Sequence, residues 1–150
     1  MPDPSMNFEL LFSSAGALAM VGWLVLLASP LIPIWSDRIS GLAIPTVLSA
    51  GYVILAVFFP PGGDGGFGNL DAVMTLFSQP SAMLAGWIHY LAFDLLIGAW
   101  ICRTARHDGL TFWLVAPCLP LTFLLGPAGL LAFLIVRAIA KPKATQILVK

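Results

Sequence analysis

The sequence predicts an all-α fold, namely an integral membrane bundle of about four transmembrane helices with one short additional helix at the membrane interface. Composition is the first observation behind this prediction, because 59% of the 150 residues are hydrophobic and only 9% are charged, which excludes a soluble globular enzyme. The second observation is the spacing of the charges, which leaves uncharged runs longer than the roughly 20 residues that cross a bilayer. Such runs lie between Glu9 and Asp37, between Arg38 and Asp64, and between Asp108 and Arg137, and a fourth run between Asp71 and Arg103 contains only Asp94.

The runs predict approximate spans at residues 10–35, 39–59, 80–104 and 110–138, all within a single transmembrane domain of residues 1–150. Each span is expected to be helical, because backbone N–H and C=O groups inside a bilayer must find partners within their own segment. Pro30, Pro33 and Pro45 fall in the first two spans, where they are expected to kink the helices rather than end them. The fourth span exceeds the length of a straight crossing, so we expect a bend near Gly126 and Pro127.

The loop between the second and third spans is rich in Gly and Pro, and Gly63, Gly65 and Gly68 match the pattern GxGxxG. That pattern indicates a dinucleotide site only where it joins a strand to a helix, so no cofactor is predicted here. After the loop, the apolar residues of segment 72–79 recur with helical spacing over a length too short to cross a bilayer. This segment is predicted to be a helix that lies at the membrane surface and covers one end of a pocket.

The orientation in the membrane is open at this stage. An even number of crossings divides the basic residues four against three between the two sides, which decides little under the positive-inside rule. Asp3 and Glu9 before the first span and Arg38 after it favour an N-terminus on the outside. If residues 110–138 formed a re-entrant hairpin instead, all seven basic residues would share one side, and this alternative also stays open.

Asp94 lies near the centre of the third span, where an unpaired carboxylate costs roughly 2.5–3.5 kcal/mol on insertion scales. It must therefore be paired or protonated. At about 100° per residue, Asp94 and His89 point about 140° apart and are expected to face different neighbours or opposite walls of one cavity. The face of Asp94 includes Trp87, Tyr90 and Gly98, and the face of His89 includes Phe93 and Trp100.

Two interpretations of these polar groups are open. In the first, Asp94 and His89 hydrogen-bond to neighbouring helices and hold the bundle together. In the second, which the clustering of titratable and aromatic groups favours, they line a functional pocket. A metal site is not expected, because His107 is the only other histidine and no carboxylate lies three or four residues from His89. Arg103, at the end of this span, is expected to contact lipid headgroups or to close a hydroxyl pocket at the interface.

The stretch Gly86-Trp87-Ile88-His89-Tyr90-Leu91-Ala92-Phe93-Asp94-Leu95, followed by Gly98-Ala99-Trp100-Ile101, resembles the abscisic-acid-deficient-four-like family of small membrane proteins. The resemblance continues at residues 76–78, at residues 117–119 and in the GPAGLL stretch of residues 126–131, and it extends weakly into the first two spans. It therefore covers most of the chain. The plant members are implicated in making neoxanthin from violaxanthin, so the resemblance implies a four-helix membrane protein that acts on carotenoids.

If the family chemistry applies, the reaction is a redox-neutral rearrangement in which an epoxide opens while a proton leaves a neighbouring polyene carbon, giving an allene and an alcohol. This step needs an acid at the epoxide oxygen and a base at the departing proton, and neither a nucleotide nor a metal. The candidate catalytic residues are Asp94, His89 and Tyr90, with Asp94 as the proton donor and His89 as the base, or the reverse. The candidate substrate-binding residues are Trp87, Phe93 and Trp100, whose rings offer flat surfaces to a conjugated chain, and Arg103.

The expected partners are a lipophilic small molecule, such as a carotenoid or another isoprenoid, and membrane lipid. A net charge of zero and the lack of a basic run remove nucleic acid as an expected partner. Four spans in a chain of 150 residues bury little surface, which is compatible with a homodimer or a membrane complex. The competing function is that of a non-catalytic carotenoid or lipophile carrier, or of a small assembly subunit.

Overall fold

The structure, a computed structural model, describes residues 7–140, and every regular element in that range is a helix. The α-helices are α1 (Phe8–Leu27), α2 (Pro33–Arg38), α3 (Ile44–Phe58), α4 (Leu70–Phe77), α5 (Pro80–His107), α6 (Phe112–Val115) and α7 (Cys118–Ala140), and a π-helical turn, Ile39–Ala43, joins α2 to α3. The predicted all-α class is confirmed.

Four segments are long and apolar enough to cross a membrane, namely Phe8–Leu27, Pro33–Phe58, Pro80–His107 and Phe112–Ala140. In the most apolar 18-residue stretch of each segment, half of the positions of the third segment are buried, against 22–28% in the other three. Helix α5 is therefore the central helix of the bundle, and α1, α3 and α7 pack around it. The outer helices leave many large apolar side chains exposed, among them Leu24, Val53 and Leu131.

The boundary between the first two segments differs from the prediction of spans at residues 10–35 and 39–59. Helix α1 ends at Leu27, and Pro30 lies in the turn that follows it. Pro33 is the first residue of α2, the position where the missing N–H of proline costs nothing because that group has no helical partner. These two prolines therefore separate two helices, whereas the sequence analysis expected kinks within one.

Pro45 behaves as expected, because the helix continues through it. The π-helical turn stands directly before Pro45, and the N–H of Ile44 bonds to the carbonyl of Ile39. A π-helical turn rearranges the local hydrogen bonds, so the proline ring fits without ending the helix. The hydroxyl of Ser40 in this turn donates a 2.8 Å hydrogen bond to the carbonyl of Gly22 in α1, which ties the first two segments together.

Helix α1 packs closely on α5 through two glycines. A Cβ at Gly98 of α5 would lie 2.8 Å from the ring of Trp23, and a Cβ at Gly22 of α1 would lie 2.6 Å from Leu95. Trp23 and Leu95 are both buried. Glycine at these two positions thus lets large side chains of one helix fill the space beside the backbone of the other.

The predicted short helix after the glycine-rich loop is present as α4, which is bounded by Leu70 and Phe77. Asn69 caps its start by accepting a 2.8 Å hydrogen bond from the N–H of Ala72. The loop folds back over α4, since a Cβ at Gly65 would lie 2.7 Å from the backbone of Leu76. The GxGxxG residues of this loop therefore join two helices, and no strand precedes them in the described chain.

The fourth segment contains the predicted bend, and the bend reverses the direction of the chain. Leu125 has non-helical dihedral angles of φ −143° and ψ 63°, and the backbone at Gly129 comes so close to Thr122 that a Cβ there would collide with it. In a straight helix these residues would be roughly 10 Å apart. Residues 112–140 thus form a helical hairpin, here called the hairpin, whose outgoing arm is residues 112–124 and whose return arm is residues 126–140.

The salt bridge between Arg137 and Asp108 confirms the reversal. The Nε of Arg137, near the end of the return arm, donates a 2.6 Å hydrogen bond to Oδ2 of Asp108 at the end of α5. The hairpin therefore begins and ends beside the same end of α5. A straight helix over residues 112–140 would place its two ends roughly 40 Å apart.

Gly129→Ala is expected to destabilise the protein by about 1–3 kcal/mol, because the added Cβ would overlap the backbone of Thr122 between the two arms. The matched control is Gly51→Ala in α3, where no atom lies within 4 Å of the new Cβ; this variant should be neutral or more stable by up to about 1 kcal/mol. Thermal unfolding of the detergent-purified variants measures both effects. Equal melting temperatures would contradict the tight hairpin.

Candidate functional site

A half-open cavity of about 640 Å³ lies between α3, the glycine-rich loop, α4 and the first three turns of α5. Its volume falls within the range of about 300–1,000 Å³ that is typical of small-molecule pockets. Most of its wall is apolar, and the aromatic and titratable residues that line it are Tyr52, Phe59, Phe67, Phe77, Trp87, His89 and Tyr90. A ligand in this cavity would therefore be mainly apolar.

Helix α4 closes one side of the cavity through Leu76 and Phe77. The ring of Phe77 lies close to α5 at Gly86, where an added Cβ would be 2.6 Å from a ring carbon. Gly86, in the stretch that carries the family resemblance, thus gives the ring of α4 room to pack against α5. The position of α4 over the cavity agrees with its predicted role as a cover, and its depth relative to a membrane stays a prediction.

His89 lies in the wall of the cavity that faces α3. Its ring packs edge-on against Tyr52 at 5.6 Å between centroids and stacks on Phe93 at 4.5 Å. Phe93, one turn further along α5, is 52% exposed and does not line the cavity. The imidazole is therefore held between two rings and remains open to a ligand in the cavity.

Trp87 and Tyr90 form the other side of the inner wall, facing α1. Their rings stack at 5.5 Å, and Phe12 of α1 stacks on the outer face of Trp87 at 5.2 Å. Three aromatic rings in succession thus form a stack beside the cavity, and Trp87 and Tyr90 of this stack line it. The sequence analysis expects His89 and Asp94 to face different neighbours or opposite walls of one cavity. In the structure His89 contacts Tyr52 of α3, whereas Trp87, on the face of Asp94, contacts Phe12 of α1.

The hydroxyl of Tyr90 donates a 2.8 Å hydrogen bond to the carbonyl of Phe123 in the outgoing arm of the hairpin. In a regular helix that carbonyl would accept a hydrogen bond from the residue four positions later, which is Pro127, and proline has no N–H. Tyr90 therefore supplies the donor that the bend removes.

Asp94 lies one helical turn after Tyr90 along α5. It is 7% exposed and is not part of the cavity wall. Its carboxylate contacts the backbone of Gly126, the first residue of the return arm, and it also interacts with the nearby Tyr90 hydroxyl. The start of a helix carries unsatisfied N–H groups and a partial positive charge, so this is a favourable place for a buried carboxylate. Oδ2 of Asp94 nevertheless has no hydrogen-bond partner within residues 7–140.

Two predicted site residues lie away from the cavity. Trp100 packs edge-on against Phe133 of the return arm at 5.5 Å, and Arg103 lies 3.9 Å from Asp37 at the end of α2. At about 1.5 Å per residue, they are roughly 16 and 21 Å along α5 from His89. The structure therefore separates them from Trp87, His89 and Tyr90, and it does not support their expected contact with a ligand held in this cavity.

The sequence analysis missed the cavity residues that α3, the loop and α4 contribute, namely Tyr52, Phe59, Phe67 and Phe77. An aromatic residue within an apolar run has no pattern that separates a cavity wall from a lipid-facing surface. Within the described chain, no three His, Cys, Asp or Glu side chains come together in a group that could hold a metal ion.

The comparison with family models finds that residues 10–133 match the family described as ABA4-like: ABA DEFICIENT 4-like. The matched range contains α1 through the first part of the return arm, and with them the whole cavity, Asp94 and the bend. Neither the curated proteins nor the solved structures contain a significant match.

The contact between Asp94 and Gly126 is expected to appear as an energetic coupling. Gly126→Ala should cost about 1–3 kcal/mol of stability, because the new Cβ would collide with the carboxylate. In an Asp94→Ala background the same change should cost at least about 0.5 kcal/mol less. A double-mutant cycle of thermal unfolding in detergent measures the difference, and strictly additive costs would contradict the contact.

Proposed function

Because this chain belongs to the ABA DEFICIENT 4-like family, we propose that it is a multi-pass membrane protein that binds a carotenoid or a related long isoprenoid. The four long apolar segments and the large apolar side chains on the outer surface support a position among lipids. Lipid or a second subunit would cover that surface.

The cavity supports a ligand of this class. Its aromatic wall suits a conjugated ligand, and about 640 Å³ accommodates an end group and a short part of the chain. It does not accommodate an extended molecule as long as the roughly 30 Å bilayer core is thick. In the proposed complex the cyclic end group occupies the cavity, and the rest of the polyene leaves through the open side between the helices and the lipid.

We further propose that the bound ligand undergoes a redox-neutral rearrangement of the violaxanthin-to-neoxanthin type. The observation that carries this proposal is the polar inner end of the cavity, where His89 and Tyr90 face the ligand and Asp94 lies behind Tyr90 with one unpartnered oxygen. Of His89 and the Tyr90–Asp94 pair, one supplies a proton to the epoxide oxygen as its C–O bond breaks. The other accepts the proton that leaves the polyene carbon. Protons and electrons balance with either His89 or the Tyr90–Asp94 pair as the acid.

A second candidate function is a carrier or assembly subunit without catalysis. This candidate is favoured because two predicted catalytic residues, Tyr90 and Asp94, contact the hairpin and thereby have a structural role. The hydroxyl of Tyr90 already donates a hydrogen bond to the Phe123 carbonyl, and Asp94 is buried against Gly126 outside the cavity wall. In this alternative the cavity binds the pigment, and the polar pair holds the hairpin in place.

Ligand binding in the cavity is expected to be weakened in Ala56→Trp, because Ala56 lines the cavity and the indole would occupy part of the space that the ligand needs. The matched control is Val57→Trp, at a neighbouring position that is 62% exposed and outside the cavity wall. Pigment retained by each detergent-purified variant after incubation with a carotenoid extract is measured by absorption. Equal retention by both variants would rule out the cavity as the binding site.

Catalysis is tested by pigment analysis of an epoxycarotenoid before and after incubation with purified protein. We expect the unchanged protein to convert it, Asp94→Asn to bind pigment with conversion reduced at least tenfold, and the loop control Asp64→Asn to retain full conversion. Asp94→Asn keeps the shape of the side chain but removes its titratable proton. Full conversion by Asp94→Asn would eliminate the acid–base role, and pigment bound without conversion by the unchanged protein would establish the carrier.

Asp94→Leu separates catalysis from structural support. If the carboxylate serves only to hold the hairpin, the Asn and Leu variants should lose melting temperature and function in proportion to each other. If it serves the reaction, Asp94→Asn should lose conversion while its melting temperature stays near that of the unchanged protein.

A further inference from the structure

The hairpin contacts α5 at successive points that follow the same order along both segments. The contacts pair Phe123 with Tyr90, Gly126 with Asp94, Phe133 with Trp100, and Arg137 with Asp108. The return arm therefore runs parallel to α5 and ends where α5 ends. The bend lies at the level of Tyr90 and Asp94, partway along α5.

The contacts at the end of the return arm are not easily broken. The Asp108 side chain is only 1% exposed, and its carboxylate pairs with Arg137 at 2.6 Å as well as with His107 at 3.1 Å. Removing Arg137 from this buried carboxylate would take away a close charged partner, which is unfavourable. Phe133, midway along the arm, is fully buried. A straight crossing of residues 112–140 would have to give up both contacts.

The charged residues are distributed unevenly between the two ends of the bundle. All four described arginines lie at the end where α2 and α5 finish, and an ion pair between Asp37 and Arg106, at 2.6 Å, joins these two helices. They are Arg38, Arg103, Arg106 and Arg137. This end is called the arginine end.

The cavity lies at the opposite end of the bundle, because residues of the glycine-rich loop, the end of α3 and the start of α5 line it. The start of α1, the end of α3 and the start of α5 meet there, as the ring contacts of Phe8 with Phe59 and of Phe12 with Trp87 establish. Its described charged residues are Glu9, Asp64 and Asp71, and no described Lys or Arg lies at this end. Of the basic residues, Lys141, Lys143 and Lys150 lie outside the described residues, as does Asp3.

We infer that residues 112–140 enter and leave the membrane on one face, so that the chain crosses three times and its ligand reaches the cavity from the face opposite the arginines. Short loops rich in Lys and Arg stay on the cytoplasmic side, or on its equivalent in an organelle. The arginine end therefore faces that side, and the cavity opens toward the far leaflet. This inference rests on the membrane position proposed above, and not on the identity or the turnover of the ligand.

The closing experiment is labelling of single cysteines with a membrane-impermeant maleimide in intact cells and in inverted vesicles. The two native cysteines, both buried and free, are first replaced by alanine. The reporters are Gly68→Cys in the cavity loop, Thr111→Cys between α5 and the hairpin, and Thr145→Cys after the return arm. Gly68 and Thr111 are exposed, and a side chain at Gly68 meets no atom within 4 Å.

We expect Thr111→Cys and Thr145→Cys to be labelled from the cytoplasmic side and Gly68→Cys from the other side. Labelling of Thr145→Cys from the same side as Gly68→Cys would establish four crossings and overturn the re-entrant hairpin. Labelling of Gly68→Cys from the cytoplasmic side would overturn the assigned opening of the cavity. The labelling experiment uses no ligand, so its outcomes do not depend on whether the protein binds or converts a pigment in the experiments above.

Discussion

The contact between α5 and the bend of the hairpin is the constraint on which the rest of the structure depends. In an apolar segment each broken helical hydrogen bond needs another partner, and the bend at Leu125 breaks the ladder on both of its sides. Tyr90 donates to the carbonyl that Pro127 leaves without a donor, and Asp94 lies against the start of the return arm at Gly126. Without the Tyr90 hydroxyl, the Phe123 carbonyl would lose the hydrogen-bond donor that it has at the bend.

This constraint explains why two separate stretches of sequence carry the family resemblance. The first, around His89 to Asp94, supplies the polar side chains, and the second, Gly126 to Leu131, supplies the bend that receives them. The two glycines of the second stretch contact different groups. Gly126 leaves space for the Asp94 carboxylate, and Gly129 leaves space for Thr122 of the outgoing arm. The two stretches are parts of one contact, although about thirty residues separate them.

The same residues connect the fold to the proposed chemistry. Tyr90 lines the cavity with its ring and holds the hairpin with its hydroxyl, whereas His89 faces the cavity from the α3 side with only ring contacts. The unpartnered oxygen of Asp94 is a buried hydrogen-bond acceptor between the cavity and the bend of the hairpin. Movement of the hairpin would change the surroundings of Tyr90 and Asp94 together, so stability and conversion must be measured on the same variants.

The sequence by itself determined the all-α class, the four apolar segments, the short helix over the pocket, the bend near Pro127 and the opposed faces of His89 and Asp94. These follow from the lengths of uncharged runs and from the 100° helical repeat, which are local properties. The partners of α5, the cavity walls from α3 and α4, and the separation of Trp100 and Arg103 from His89 appeared only in the tertiary structure. The path of the fourth segment was equally undetermined, because an apolar run of about 29 residues has the same composition whether it crosses or returns. Its direction is set by contacts with distant residues, since Pro127 permits the turn and the hairpin is held by Tyr90, Asp94 and Trp100 on α5 and by Asp108 directly after it.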